Sequence, residues 1–118
     1  MAPDTDWHDP PKGCDTEFNH ISGRIFEDGY SPIPCPCCSV GILRVYWYAA
    51  RTEVIRDEVW RRGGHWMWCP HCRVYAHYSA LIPKWWPAQD PIPGTQLFHT
   101  PTGIAEQWDT ILAAITQS

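Results

Sequence analysis

The 118-residue chain lacks several features that would assign it to a broad class of protein. No apolar run approaches the roughly 20 residues that cross a bilayer, so no membrane association is expected. The first residues are polar and acidic, without the basic and apolar segments of a signal peptide, and a cytoplasmic protein is therefore expected. Nine lysines and arginines stand against 13 acidic residues, which gives a net charge of −4. Because phosphate contacts dominate nucleic-acid affinity, this balance disfavours nucleic acid as the first choice of partner.

The sequence also contains little that indicates catalysis. Its carboxylates are scattered, and no spaced pair resembles a general acid–base couple. A thiol enzyme would need a nucleophile within reach of a histidine, and no oxyanion-hole signature accompanies either candidate nucleophile, Cys14 or Cys37. Four histidines could serve on paper, and spacing favours none of them: His20, His65, His77 and His99. We therefore expect that the protein is not an enzyme, with a thiol enzyme as the weakest alternative.

What the chain does contain is a pair of four-residue knuckles, C-P-C-C from residue 35 and C-P-H-C from residue 69, separated by 30 residues. Paired C-x-x-C turns are typical of a tetrahedral metal site. Position-by-position alignment makes the outer cysteines the ligands: Cys35, Cys38, Cys69 and Cys72. Because four protein ligands leave no open position, the sequence predicts one structural Zn²⁺. Ligation by Cys37 or His71, which share the remaining slot, stays open as an alternative.

Six cysteines could in principle form three disulfides. The C-P-x-C repeat and the missing export signal favour reduced, metal-bound thiolates instead. Cys14 stands about twenty residues before the first knuckle, and we expect a free or buried thiol there. The histidines around the second knuckle, His65, His71 and His77, are expected to be hydrogen-bonded or exposed rather than to form a second metal site.

The hydrophobic pattern predicts one domain over residues 14–118, preceded by a loose arm at residues 1–13. Strands are predicted at residues 40–48, 65–68 and 74–79, with the first of them central. Residues 52–60 fit either a strand or a short helix, and the glycines at 63 and 64 indicate a turn after them. Signals over residues 14–34 are mixed, and a strand or a short helix is possible near residues 21–26.

A stretch rich in proline and tryptophan follows at residues 83–93, and we expect it to wrap the sheet as an extended cover. The C-terminal segment is the clearest helix, with Thr102 as the candidate N-cap. Its apolar stripe, expected to face the core, is Ile104, Trp108, Ile111, Leu112 and Ile115. The sequence thus predicts an α+β domain in which a small antiparallel sheet carries this cover and a C-terminal helix.

Arginines interleave with aromatic residues between positions 44 and 73. This combination is typical of protein-binding hot spots and of single-strand nucleic-acid binding, and it also fits a solvated sheet face. The overall acidity places protein contact ahead of nucleic acid. The candidate partner-binding residues are Arg44, Arg56, Trp60, Arg61, Trp85 and Trp86. Residues 1–34 carry two basic and seven acidic side chains, and this net charge of −5 favours rapid encounter with a basic partner.

The knuckle pair, with a strand after the first knuckle and another leading into the second, resembles the zinc ribbon family over roughly residues 33–80. Members of this family include transcription factors, polymerase subunits, ribosomal proteins and protein-binding modules. Ser39 and Arg73 stand where glycine usually follows each knuckle.

The segment W-M-W-C-P-H-C-R-V-Y-A-H-Y-S from residue 66, followed by I-P-K-W-W, is also similar to small zinc-ribbon proteins of actinomycete type, over about residues 64–86. Some of these are thought to serve as immunity proteins beside secreted toxins. This resemblance implies a non-catalytic protein that binds another protein, for instance a basic toxin. The alternative is a zinc ribbon that binds nucleic acid or the transcription machinery.

Overall fold

The computed structural model describes residues 7–117, and the side chains through residue 112. Two helices and three strands occur in it, in the order α1 (Cys14–Asp28), β1 (Arg44–Ile55), β2 (Glu58–Trp68), β3 (Tyr75–Leu81) and α2 (Pro101–Gln117). The strands form one antiparallel sheet in the order β1-β2-β3. The predicted α+β class is confirmed. The prediction of a central first strand is wrong, because β2 pairs on both sides and β1 lies at an edge.

β1 and β2 form a long hairpin around a two-residue turn. Arg56 and Asp57 both have positive φ angles, 51° and 66°. That combination defines a type I′ turn, whose twist matches the twist of the flanking strands. Residues 52–60, which the sequence left undecided, are therefore two strand ends and their turn, with Ile55 opposite Glu58.

The turn predicted at Gly63 and Gly64 is wrong, since both glycines lie inside β2. Their role is to admit Tyr48 of the neighbouring strand. A Cβ on Gly63 would overlap the carbonyl oxygen of Tyr48, and a Cβ on Gly64 would overlap its ring. The register of β1 against β2 shifts next to this contact, between Ala49 and Arg51. Glycine inside a strand here marks close approach of another chain segment, not a break.

The cover segment is held on the sheet by aromatic contacts. Residues 83–93 contain no helix or strand, as expected for an extended cover. The ring of Trp86 lies 5.3 Å from that of Tyr46 and 5.3 Å from that of Trp47, measured between centroids. The hydroxyl of Tyr46 donates to the carbonyl oxygen of Ile92 at 3.3 Å and accepts from the N–H of Ile92 at 2.8 Å. These contacts bury large aromatic areas in a small core.

Residues 14–28, which gave mixed signals in the sequence, form the full helix α1. Phe18, Ile21 and Ile25 are its buried residues, and their spacing of three and four places them on one face. The indole N–H of Trp85 points at the end of this helix, with the carbonyl oxygens of Ile25 and Phe26 at 3.1 and 3.0 Å. The cover segment therefore also holds α1.

The C-terminal helix starts slightly earlier than predicted. Thr100, not Thr102, caps α2: its hydroxyl oxygen accepts from the N–H of Gly103 at 3.1 Å. Ile104 is buried, and the ring of Trp108 lies 5.0 Å from that of Tyr46. Ile115, the last residue of the predicted stripe, lies beyond the described side chains.

The loose arm predicted for residues 1–13 needs correction at two positions. Trp7 is buried, and His8 forms an isolated parallel bridge with Val74. The N–H of His8 donates to the carbonyl oxygen of Arg73 at 3.0 Å, and its own carbonyl accepts from Tyr75 at 3.1 Å. Residues 1–6 lie outside the described part of the chain.

A matched pair of glycine substitutions tests the close packing of the hairpin. Gly63→Ala should lower the free energy of unfolding by about 3 kcal/mol, because the backbone of Tyr48 must move to make room. Gly23→Ala should raise it by roughly 0.5–1 kcal/mol, because Gly23 lies in α1 with nothing within 4 Å of the added Cβ. Urea denaturation measures both. Equal effects of the two substitutions would contradict the assigned role of Gly63.

Candidate metal centre

The four outer cysteines of the knuckles meet at one end of the sheet. The first knuckle precedes β1, and the second joins β2 to β3. Because Arg44 at the start of β1 lies opposite Trp68 at the end of β2, the antiparallel register brings the two knuckles together. The sulfur atoms of Cys35, Cys38, Cys69 and Cys72 all lie within 4.8 Å of one another. The structure thus places the predicted ligand set in one cluster that can hold one metal ion.

The sulfur–sulfur distances fit tetrahedral coordination. Sγ of Cys35 lies 3.7 Å from Sγ of Cys72, and Sγ of Cys38 lies 3.7 Å from Sγ of Cys69. A tetrahedron of sulfurs with metal–sulfur bonds of about 2.3 Å has edges of about 3.8 Å. These two distances match edges of such a tetrahedron, and all other sulfur pairs of the cluster lie within 4.8 Å.

Both knuckles use the same backbone turn. Ser39 and Arg73, which follow the last cysteine of each knuckle, have φ angles of 61° and 63°. Their N–H groups donate to the carbonyl oxygens of Cys35 and Cys69, at 2.8 and 3.0 Å. Each turn is closed by a residue in the left-handed backbone region, which glycine adopts most readily. Here two non-glycine residues adopt it.

Backbone N–H groups of the turns point at the cysteine sulfurs. The N–H of Cys37 donates to Sγ of Cys35 at 3.4 Å, and the N–H of Gly41 donates to Sγ of Cys38 at 3.4 Å. In the second knuckle the N–H of Cys72 donates to Sγ of Cys69 at 3.5 Å. Such bonds stabilise thiolates, the form in which cysteine binds a metal.

The local environment shifts the pKa values of three of these thiols in different directions. The bond from Gly41 is the largest influence on Cys38 and lowers the pKa of that thiol to about 6. Burial raises the pKa of Cys72 to about 12 and also raises the pKa of Cys35. Without a cation, four thiolates this close would repel one another and lose hydration. The cluster can therefore be fully ionised only around a positive ion.

Gly41 is a residue of the site that sequence reasoning missed. A Cβ at this position would overlap Sγ of Cys69 and would lie 2.8 Å from Cβ of His71. Glycine therefore lets the loop after the first knuckle pass directly against the second. The only signal in the sequence was a glycine three residues after Cys38, which is too weak to interpret alone.

The two cysteines outside the cluster are bonded to each other. Cys14 and Cys37 form a disulfide, so the expectation of a free or buried thiol at Cys14 is wrong. Cys37 occupies the non-ligand slot of the first knuckle, and its counterpart His71 is exposed. The sequence offered one signal for this disulfide: once four of the six cysteines are assigned to a metal, two remain that can pair with each other. The disulfide also leaves neither Cys14 nor Cys37 as a thiol nucleophile in this structure.

The six candidate partner-binding residues fall into two groups. Arg44, Trp85 and Trp86 line a groove of about 870 Å³ between α2 and the sheet, together with Tyr30, Trp108 and Asp109. Nε of Arg44 donates to a carboxylate oxygen of Asp109 at 3.1 Å. Trp86 is largely buried, so only part of its ring faces the groove.

The other three candidates, Arg56, Trp60 and Arg61, lie on the hairpin. Arg56 is exposed in the turn. Trp60 stacks on Phe26 with 6.1 Å between ring centroids. The Nζ of Lys84 lies over the ring of Trp60 in a cation–π contact, 4.2 Å from its centroid. Arg61 donates to the carbonyl oxygens of three cover residues, Trp86, Pro87 and Ala88, at 2.8–3.2 Å. Arg61 therefore fastens the cover, and Arg56 is the most accessible of the three.

The histidines outside the knuckles do not converge on a metal. His65 is 1% exposed, stacks on Trp47 at 4.1 Å between centroids, and its Nδ1 lies 3.2 Å from Oγ of Ser22. Nε2 of His77 lies 2.8 Å from the hydroxyl of Tyr48. Among the described residues, the only group of metal-ligating side chains close enough to share an ion is the four-cysteine cluster.

Comparisons of the chain with family models, with curated proteins and with solved structures find no match. The resemblances to zinc ribbons and to immunity proteins therefore have no support from these comparisons. Within the described residues, neither helix has the length and apolar character needed to cross a membrane.

Adjacent cysteines provide a matched test of the ligand assignment. Cys38→Ser should abolish stoichiometric metal binding and cooperative unfolding, because one of four ligands is lost. Cys37→Ser, one residue away, should retain one metal ion per chain. Elemental analysis by mass spectrometry measures metal content, and thermal melting measures cooperativity. Retention of the metal by Cys38→Ser, or its loss from Cys37→Ser, would contradict the assignment.

His65 should make the fold sensitive to acid. Burial, with a smaller contribution from His77, lowers the pKa of His65 to about 3 from its ordinary 6.5. As the pH falls, His65 is therefore protonated in the unfolded chain before it is protonated in the folded chain. The free energy of unfolding is at its full value above pH 6.5 and decreases as the pH falls from there towards 3. Each pH unit in this window should remove up to about 1.4 kcal/mol from the free energy of unfolding.

Denaturant titrations between pH 7 and 5 measure this dependence. His65→Phe keeps an aromatic ring on Trp47 but cannot take up a proton. In this variant the free energy of unfolding should depend less steeply on pH, by that amount per pH unit. The comparison of the two proteins cancels the acid sensitivity of the cysteine cluster, which both contain. An unchanged slope in His65→Phe would assign the acid response to other groups.

Proposed function

We propose that the protein is a non-catalytic domain, held together by one structural Zn²⁺, that binds and neutralises a basic protein toxin. The observation that carries the first part is the closed set of four cysteine sulfurs. Zinc is the metal for which a tetrahedral four-thiolate site without an open position is typical. A site of this kind stabilises a fold and has no vacancy for a substrate or an activated water.

Ser22 and His65 lie within hydrogen-bond distance, but the other ring nitrogen of His65 is buried without a hydrogen-bond partner. A serine–histidine pair in a hydrolase needs a third group that orients the histidine. His65 instead packs flat against Trp47 as a neutral residue of the core.

The groove beside α2 is the surface best suited to a protein partner. It brings aromatic rings together with a charged pair, Arg44 and Asp109, in partly exposed positions. Tryptophan, tyrosine and arginine are the residues that dominate binding energy at protein interfaces. Three of the six sequence-based candidates, Arg44, Trp85 and Trp86, line this one groove.

Negative charge at the end of α1 favours a basic partner. Glu27 and Asp28 are exposed at the end of α1, and Tyr30, two residues later, lines the groove. The N–H of Trp85 connects the groove wall to this end of α1. Opposite charges across an interface accelerate encounter and select against wrong partners. Neutralisation would then be steric, with the rigid sheet and cover blocking the active surface of the toxin.

The metal contributes to binding indirectly. Because it fixes both knuckles before the partner arrives, little ordering entropy is lost in the complex. The cytoplasm remains the proposed compartment, since four cysteines must stay reduced to hold the metal. The competing function is a nucleic-acid-binding zinc ribbon that uses exposed arginines of the hairpin, such as Arg51 and Arg56.

Affinity capture from the native host, with and without nuclease, tests the proposal. We expect a basic protein at equal stoichiometry in both samples. Reversal of the charges beside the groove, Glu27→Lys with Asp28→Lys, should slow association with that protein about tenfold at low salt. The matched control, Asp57→Lys with Glu58→Lys at the hairpin turn, should leave the rate unchanged.

Two results would contradict the proposal. Recovery of partners only in the absence of nuclease, together with a steep salt dependence of binding to random single-stranded DNA, would favour the nucleic-acid function. Equal effects of the two charge reversals on the association rate would show that the groove is not part of the interface.

A further inference from the structure

The disulfide between Cys14 and Cys37 joins two parts of the molecule with different roles. Cys37 lies in the first knuckle, between the ligand positions Cys35 and Cys38, and Cys14 is the first residue of α1. Both cysteines are partly exposed. The bond is therefore within reach of thiol reagents, and it connects the metal loop directly to the helix.

Metal binding divides the six cysteines of the chain into two chemical classes. The four sulfurs of the cluster are committed to the ion, which protects them from oxidation and exchange. Cys14 and Cys37 alone remain free to change between disulfide and dithiol. Cys37, in the non-ligand slot of the first knuckle, is bonded to α1 and does not face the metal. Reduction of the disulfide therefore need not disturb the coordination.

The first turn of α1 has few other connections to the fold. Asp15, Thr16 and Glu17 are exposed, and the carboxylate of Asp15 bonds only its neighbours Gly13 and Thr16 among the hydrogen bonds of the described residues. The N–H of Cys14 donates to Pro11, also a local partner. The first buried side chain of the helix is Phe18. Between His8, which pairs with Val74, and Phe18, the disulfide is the covalent tie of this segment to a distant part of the chain, and Asp15 adds an electrostatic interaction with Tyr78.

We propose that Cys14 and Cys37 form a reversible thiol–disulfide site that releases the first turn of α1 on reduction while the metal stays bound. The inference rests on the metal centre and on the proposed cytoplasmic compartment, but not on the proposed partner. A disulfide of this kind in a reducing compartment is usually transient and redox-sensing.

The chemistry balances with a thiol reductant of the glutathione or dithiol class. One thiolate attacks a sulfur of the pair and forms a mixed disulfide, and the other cysteine leaves as a thiolate and takes up a proton. A second thiol of the reductant attacks the mixed disulfide and releases the remaining cysteine. The pair gains two electrons and two protons, and the reductant is oxidised to its own disulfide.

The metal-loaded full chain, equilibrated in buffers of reduced and oxidised glutathione, tests this site. Maleimide alkylation followed by peptide mass mapping reads the state of each cysteine, and elemental analysis of the same samples reads the metal. We expect Cys14 and Cys37 to interconvert with the buffer, the other four cysteines to stay unlabelled, and one metal ion per chain to remain throughout. A pair that never changes state, or metal loss that parallels reduction, would overturn the proposal.

Hydrogen exchange tests the structural consequence. The amides of Phe18 and Asn19, which can bond to the carbonyls of Cys14 and Asp15 in the first turn, should exchange about tenfold faster or more in the reduced protein. Cys37→Ser should show the fast exchange in both buffers and still bind the metal. Slow exchange of these amides in Cys37→Ser, or no difference between the oxidised and reduced protein, would show that the disulfide does not hold the turn.

Discussion

Four cysteine sulfurs within 4.8 Å of one another can all be thiolates only when a cation lies between them. Burial disfavours ionisation of Cys35 and Cys72, while a backbone N–H favours it at Cys38. A metal ion removes this conflict, because it compensates the charge of all four thiolates at once. The start of β1, the end of β2 and the turn into β3 all meet at this point.

The rest of the core compensates for a chain with little regular structure between β3 and α2. Indole and phenol rings bury large areas, and some of them also form hydrogen bonds that orient the neighbouring segment. Tyr46 bonds the backbone of Ile92, Trp85 bonds the end of α1, and Arg61 bonds the carbonyls of the cover. A segment rich in proline, which cannot join a central strand, is thereby held in one conformation by side chains of the strands and by its own tryptophan.

The parts that sequence predicted well are those in which the signal is local. A C-x-x-C turn needs only four residues to aim two sulfurs, and alternating branched and aromatic residues identify a strand. The parts that it missed depend on contacts between distant residues. Gly63 and Gly64 look like a turn until Tyr48 is placed against them, and Gly41 is unremarkable until Cys69 approaches. In α1, Gly23 and the surrounding charges weaken a helical pattern that only three buried residues define.

The non-ligand slot of the knuckles, held by Cys37 in the first and by His71 in the second, has a different role in each. In both knuckles this residue follows proline, and its side chain points away from the sulfur cluster. In the second knuckle the slot holds an exposed histidine, and the neighbouring backbone is already secured by β2, β3 and the bridge to His8. The first knuckle is flanked by an antiparallel bridge between Pro34 and Ile42, and its slot holds Cys37, which is bonded to Cys14. Each knuckle is thus tied to the N-terminal part of the described chain, the second by the bridge to His8 and the first by a covalent bond to the start of α1.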